Sequence, residues 1–201
     1  MATWKRRIGI TLGGLIGLIV LAIAGFYAVA TFKLNREHQI GAAVTPPIPT
    51  DSAAIARGHV FADLHGCTGC HAGNLAGQVM VDQFPLGRLA APNLTRGKGG
   101  IGSLYTDAEW ERAIRHGVRR NGRALLMMPS ESFSKLRDDD VAALIAYVKS
   151  VPPVDNELPS RRIYPVAAAL VALGPFTPAA ERIDHAARST GPEPGVTVAY
   201  G

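Results

Sequence analysis

The sequence predicts an all-α fold preceded by one membrane-crossing helix, and three observations carry that expectation. Residues Ile8 to Phe32 run for 25 positions without a charge, long enough to cross a bilayer with some tilt. Beyond them, three separate stretches place apolar residues at helical spacing between start and stop signals. The connections between those stretches are rich in glycine and proline rather than in alternating β-branched residues. The expected boundaries are an N-terminal anchor over 1–32, a tether over 33–50, a helical domain over 51–155 and a proline-rich extension over 156–201.

The apolar run is preceded by Lys5, Arg6 and Arg7, which favours a cytoplasmic N-terminus and places the remainder on the periplasmic side of the inner membrane. Ala28-Val29-Ala30 resembles a signal cleavage site, but the apolar region of a signal peptide is usually much shorter than this one. An uncleaved single-pass anchor is therefore expected. Gly9, Gly13 and Gly17 form a small-residue stripe, common in membrane helices in any case. The formal charge is +5, with a surplus of four in the first 40 residues and of one in the rest. The high pI thus belongs to the ends of the first segment, and no nucleic-acid partner is implied. The tether ends in "TPPIPT".

Asp51 or Ser52 can cap a helix through Ile55, Val60, Phe61 and Leu64. A loop rich in glycine and proline follows from Ala72 to Gly102. "TDAEWERAIRHG" opens with a capping box, Thr106 with Glu109, and closes at Gly117. "DDDVAALIAYVKS" puts Val141, Leu144, Ile145 and Val148 on one stripe, with its acidic residues at the positively polarised end. Pro152 and Pro153 stop it.

The chemistry lies in "HGCTGCHAG", residues 65–73, which holds both cysteines of the chain, Cys67 and Cys70, with His71 directly after them. Two cysteines do not make a disulfide scaffold, and the sequence has no second Cys-x-x-Cys or His-x3-His to complete a structural zinc site. Cys-x-x-Cys-His is the attachment signature of c-type haem. One helical turn separates the sulfurs, so both can form thioethers with the vinyl groups on one porphyrin edge. His71 then falls beneath the iron as an axial ligand. Covalent attachment takes place outside the cytoplasmic membrane, which is where the anchor delivers the domain. One haem c per chain is expected.

For the second axial position the candidates are Met80, Met127, Met128 and the remaining histidines, of which His116 is the foremost. Adjacent residues of an extended loop point opposite ways, so only one of Met127 and Met128 can face the iron. Pro129 biases its predecessor toward extended geometry and favours Met128, leaving Met127 to packing. Thioether ligation stabilises ferrous iron and suits electron transfer.

"GCTGCH", "APNLT", "GGIGSLYTDAEWERAIRHGVRRNGR", "MMPSESFSKL" and "DVAALIAYVKSVPPV" together resemble the mono-haem domains of the class I cytochrome c fold. More narrowly, they are similar to domains in the multi-haem cytochrome subunits of membrane-bound alcohol and gluconate dehydrogenases. The resemblance covers about residues 51–186. It implies one covalent haem on Cys67 and Cys70, axial ligation by His71 and Met128, and electron delivery toward a respiratory or photosynthetic chain. It also implies a proline carbonyl on the histidine's other N–H, for which Pro92 is the candidate. The sequence departs at Arg137, where such domains place a Ser or Thr cap; Asp138 is the expected substitute.

From Arg88 to Arg123, eight basic residues outnumber three acidic ones. Some would offset haem propionates, and the others would form a positive rim that steers an acidic redox partner, such as a membrane-bound electron-transfer complex. The expected function is single-electron transfer rather than catalysis. The alternatives are a peroxidase-like haem enzyme with an open sixth position, or an assembly subunit. The tail from Ala180 reads as a linker, with Gly201 where Gly58 stands before the haem motif, as though a second haem domain began there.

Overall fold

The computed structural model describes residues 2–41, 45–187, 191, 192 and 195. Three helices enclose the main core. Helix α2 spans Ser52–Leu64, capped by Asp51, whose carboxylate accepts from the Ala54 N–H at 2.9 Å. Helix α4 spans Asp107–His116; the Thr106–Glu109 capping box forms, and Gly117 ends the helix at φ 65°. Helix α6 spans Asp138–Ser150. Its N-cap position is Arg137, not Asp138, which is the first helical residue and accepts instead from the Arg115 guanidinium at 2.6 Å. Leu75, Trp110, Phe133, Leu144 and Ile145 are buried at the centre. The short α3 (Cys67–His71) and α5 (Ser130–Phe133) lie at its edge.

Helices α2 and α6 cross at a glycine. A Cβ on Gly58 would overlap the carbonyl oxygen of Ala143 and sit 2.9 Å from the Cβ of Tyr147. Only a residue without a side chain lets the two backbones approach this closely.

The fold is not all-α. Strands β1 (Gln78–Gln83) and β2 (Gly87–Ala91) form an antiparallel hairpin with an irregularity between Val79 and Val81, closed by a cis Phe84–Pro85 bond. A two-residue β3 (Arg162–Ile163) pairs with Gly87 and Arg88 at its far edge. The expected glycine- and proline-rich loop thus contains a small sheet.

Helix α1 runs from Ala2 to Asn35, and its most apolar 18-residue window has a mean hydropathy of 2.4. It extends into the stretch expected to be a tether. Beyond it, the His38 N–H donates to the Gly122 carbonyl at 2.9 Å, tying the chain to the turn before Arg123. The end of α1 also meets a helix absent from the sequence expectation, α7 (Pro165–Leu173): Ala30 and Leu34 pack with Ala168 and Val171. Past α7, Ala180 lies in a 3-10 turn (Ala179–Glu181) and packs against Val118 and Ala124. Arg182 grips Glu131 through two hydrogen bonds of 2.6 and 2.9 Å. The expected linker is therefore folded onto the domain as far as this point. The expectation about Gly201 lies outside the described residues.

A histidine pair fastens this return segment. His185 Nε2 donates to the Ala180 carbonyl at 3.0 Å, and its Nδ1 lies 3.0 Å from His116 Nδ1. Burial first, then the charges of His185 and Arg115, lowers the pKa of His116 from 6.5 to about 4. Glu111 lies 3.8 Å from His116 Nε2. Because the folded value is depressed, the unfolded chain takes up the proton first. The pair's contribution is complete above pH 6.5 and is lost as pH falls toward 4.

Two outcomes follow for thermal melts. Gly58→Ala should cost about 1–3 kcal/mol through overpacking at the helix crossing. The melting temperature of the native chain should fall between pH 6.5 and pH 4, and His116→Asn should flatten that part of the profile.

Candidate cofactor site

The cysteines and His71 occupy α3, a single turn bounded by two residues of positive φ, Gly66 at 74° and Ala72 at 63°. The turn is held from outside. Thr68 donates to Asp63 at 2.8 Å, and Gln78 of β1 donates to the Gly69 carbonyl at 2.6 Å. Cys67 packs against the main core, while Cys70 is exposed. Burial is the largest influence on the Cys67 thiol and pushes it up to about 11. A free thiol so disposed is not a thiolate at neutral pH, which argues against thioredoxin-like or nucleophilic chemistry.

His71 is half-buried, and its Nδ1 lies 2.8 Å from the Pro92 carbonyl. A carbonyl can only accept, so Nδ1 carries the proton and Nε2 keeps its lone pair. Burial, partly opposed by this bond, lowers the pKa of the ring and keeps it neutral. The expectation for Pro92 is met by this hydrogen bond.

Pro92 is held by residues that the sequence expectation did not single out. Asn93 and Thr95 are fully buried. The Asn93 carboxamide donates to the Val154 carbonyl at 2.8 Å and accepts from the Thr95 N–H and hydroxyl at 2.9 and 2.8 Å. The Val154 N–H donates in turn to the Thr95 hydroxyl at 3.0 Å. Two residues later, Asn156 donates to the Ala76 and Gly77 carbonyls at 2.9 and 3.2 Å. The loop after the haem motif, the loop carrying Pro92 and the chain leaving α6 are thereby knotted together. The signal in the sequence was "PNLT", two polar residues around a leucine, but their partners lie about 60 positions away.

The two adjacent methionines differ in burial. Met128 is half-buried and packs on the core cluster that Cys67 also borders. Met127 is 47% exposed and is not a packing residue. Met80 lies in β1 and faces solvent. His116 is engaged with His185, His59 lies 3.5 Å from Asp63, and His65 stacks on Phe61.

The positive rim is thinner than the sequence count. Arg88 pairs with Asp82, Lys98 with Glu157, Arg120 with Glu109, and the buried Arg115 with Glu111 and Asp138. Arg119 and Arg123 instead share a neighbourhood with Arg161, whose pKa is lowered by burial first and then by those two charges. An open cavity of about 350 Å³ beside them is lined by Tyr105, Arg119, Arg120 and Asn121.

Residues 55–152 match the cytochrome c family model. The chain is 33% identical over 145 residues to the fructose dehydrogenase cytochrome subunit of Gluconobacter japonicus, covering 68% of this chain and 30% of that protein. It is 35% identical over 135 residues to the cytochrome c subunit of the quinone alcohol dehydrogenase of Gluconacetobacter polyoxogenes, covering 64% and 28%. It is 33% identical over 121 residues to the gluconate 2-dehydrogenase cytochrome c subunit of Pantoea cypripedii, covering 54% and 27%. The chain thus spans less than a third of the length of these relatives. Residues 55–152 are a cytochrome c domain, an electron-carrying module that holds its haem covalently.

Proposed function

We propose that the chain is a membrane-anchored, mono-haem c-type cytochrome. In this role it accepts single electrons from a periplasmic or membrane donor and passes them to an acceptor of a respiratory or photosynthetic chain. The observation that carries the proposal is the fixed ring of His71: with Nδ1 bound to Pro92, the basic nitrogen left for a metal is Nε2. The donor set fits a c-type haem. Cys67 and Cys70 would hold the vinyl edge as thioethers, His71 one axial position and Met128 the other. Bound haem supplies a one-electron iron couple.

The protein's own residues set the conditions for that couple. The hydrogen bond to Pro92 fixes the plane of the imidazole and raises its basicity as a ligand. The core packed against Cys67 and Met128, including Leu94, Ile101 and Tyr105, keeps water from that side. Met128, as a thioether ligand, would raise the potential and leave no position for substrate. The single Cys-x-x-Cys-His motif of the sequence supports one haem per chain. Lys5, Arg6 and Arg7 support a cytoplasmic N-terminus, with the haem domain in the periplasm. The relatives' names support a dehydrogenase as partner. The Arg119–Arg123–Arg161 group supports a docking partner with acidic groups.

Met128→Ala should lower the reduction potential or give high-spin iron, whereas Met127→Ala should leave the absorption spectrum nearly unchanged; the reverse result would refute the ligand assignment. A pyridine haemochrome assay should return close to one haem per chain. Asn93→Ala removes the acceptor of the buried Thr95 N–H, while the Thr95 hydroxyl and the Val154 carbonyl keep each other. It should cost about 1–3 kcal/mol in denaturant unfolding while the haem remains attached.

A further inference from the structure

Helix α7 and the tip of the β1–β2 hairpin take no part in the cofactor site, yet both are apolar and exposed. From Ile163 to Ala180 the sequence has no charged side chain. Val166 is 41% exposed, Leu173 70%, and Phe84 at the hairpin tip 82%. Hydrogen bonds fix the level of α7 along α1. The Tyr27 hydroxyl donates to the Ile163 carbonyl at 3.1 Å, just before α7 begins. Lys33 Nζ donates to the Val171 and Ala172 carbonyls at 3.3 and 3.0 Å, at its end. Helix α7 therefore runs in the same direction as α1, from the level of Tyr27 to that of Lys33. The hairpin tip reaches the starting level: the Tyr164 N–H donates to the Leu86 carbonyl at 3.1 Å, and the Phe84 and Tyr164 rings lie 6.1 Å apart.

The depth of that level rests on the proposal that α1 spans the membrane. A hydrocarbon core of about 30 Å takes up about 20 helical residues. Counted from Arg7, the core ends near Ala28; if α1 tilts to immerse its whole charge-free run, it ends near Phe32. Either way Tyr27 lies at or inside the boundary, together with the start of α7 and the hairpin tip beside it. At its other end, on the level of Lys33, the terminal carbonyls of α7 find partners within the protein. The Leu170 carbonyl accepts from the N–H groups of Gly174 and Phe176, and Lys33 takes the next two. Its ammonium is thereby spent inside the protein rather than in the headgroups.

We propose that Phe84 and the Val166 face of α7 form a second membrane contact, immersed at the lipid interface of the periplasmic leaflet. The haem domain then rests on the bilayer instead of hanging from α1. Aromatic and aliphatic side chains at the end of a span are stabilised at that interface.

The test uses the full-length haem protein, one chain per nanodisc of phosphatidylethanolamine and phosphatidylglycerol. Nitroxide labels are placed by Phe84→Cys, Val166→Cys, Leu18→Cys in mid-α1, and Leu104→Cys, a 53% exposed site on the haem domain. Collisions with oxygen, which concentrates in lipid, are compared with collisions with a nickel chelate confined to water. An unchanged haem spectrum establishes that each variant is folded. Labels at 84 and 166 should favour oxygen several-fold, as at 18, while the label at 104 favours the chelate. If 84 and 166 follow 104 while 18 remains immersed, the second contact is wrong and the anchor stands. If 18 favours the chelate, the anchor proposal itself falls, and the contact with it. Shielding of 84 and 166 from both probes would mean a protein covering, and would overturn the lipid assignment.

Discussion

The hydrogen bond from His71 to the Pro92 carbonyl can hold a ring in one orientation only if that carbonyl is itself immobile, and proline has no N–H with which to secure its own position. Its two neighbours do so. Ala91 is the last residue of β2 and is paired across the hairpin with Gln78, whose side chain also holds the haem-motif turn. Asn93 is buried and bonded to the chain leaving α6. One acceptor is thus fixed from the sheet on one side and from a polar knot on the other. Each polar group of the Asn93–Thr95 pair finds a partner, so the arrangement carries little desolvation penalty.

The chain that closes this knot continues toward α1. Val154 and Asn156 bind the haem-side loops, Arg162 and Ile163 add the third strand, and α7 docks on the end of the N-terminal helix. The residues after α6 therefore act as a strap joining the histidine side of the domain to its N-terminal helix. The return segment beyond α7 fastens the opposite side, where Arg182 holds Glu131 close to the methionine loop.

Local signals were legible and distant ones were not. The Thr106–Glu109 box, the Asp51 cap and the Gly117 stop each act within one helical turn, and each formed as expected. The hairpin was missed because "QVMVDQFPLGRLAA" mixes polar and apolar residues without steady alternation, and because its pairing is completed by β3, some 75 positions beyond the turn. Helix α7 was missed for the opposite reason. "PVAAALVAL" is apolar all round, so no polar face reveals a helical period. Its partner is the far end of α1, and no local pattern announces that contact. The rim of positive charge was overcounted because half of its members have acidic partners that a linear tally cannot match to them.

The approach of Gly58 to Ala143 also has a kinetic meaning. The two residues are separated by about 85 positions, so the crossing that closes the core is among the most non-local contacts in the domain. The logarithmic part of closing such a loop amounts to about 4 kcal/mol of chain entropy, to be overcome before the packing of α2 on α6 returns anything. A chain emerging N-terminus first presents Cys67, Cys70 and His71 well before α6 exists to complete the fold around them. For that interval the attachment motif is open and its surroundings are unfinished. The late arrival of α6 thus leaves a time window in which a large, rigid, planar group can be linked to the chain before the core shuts.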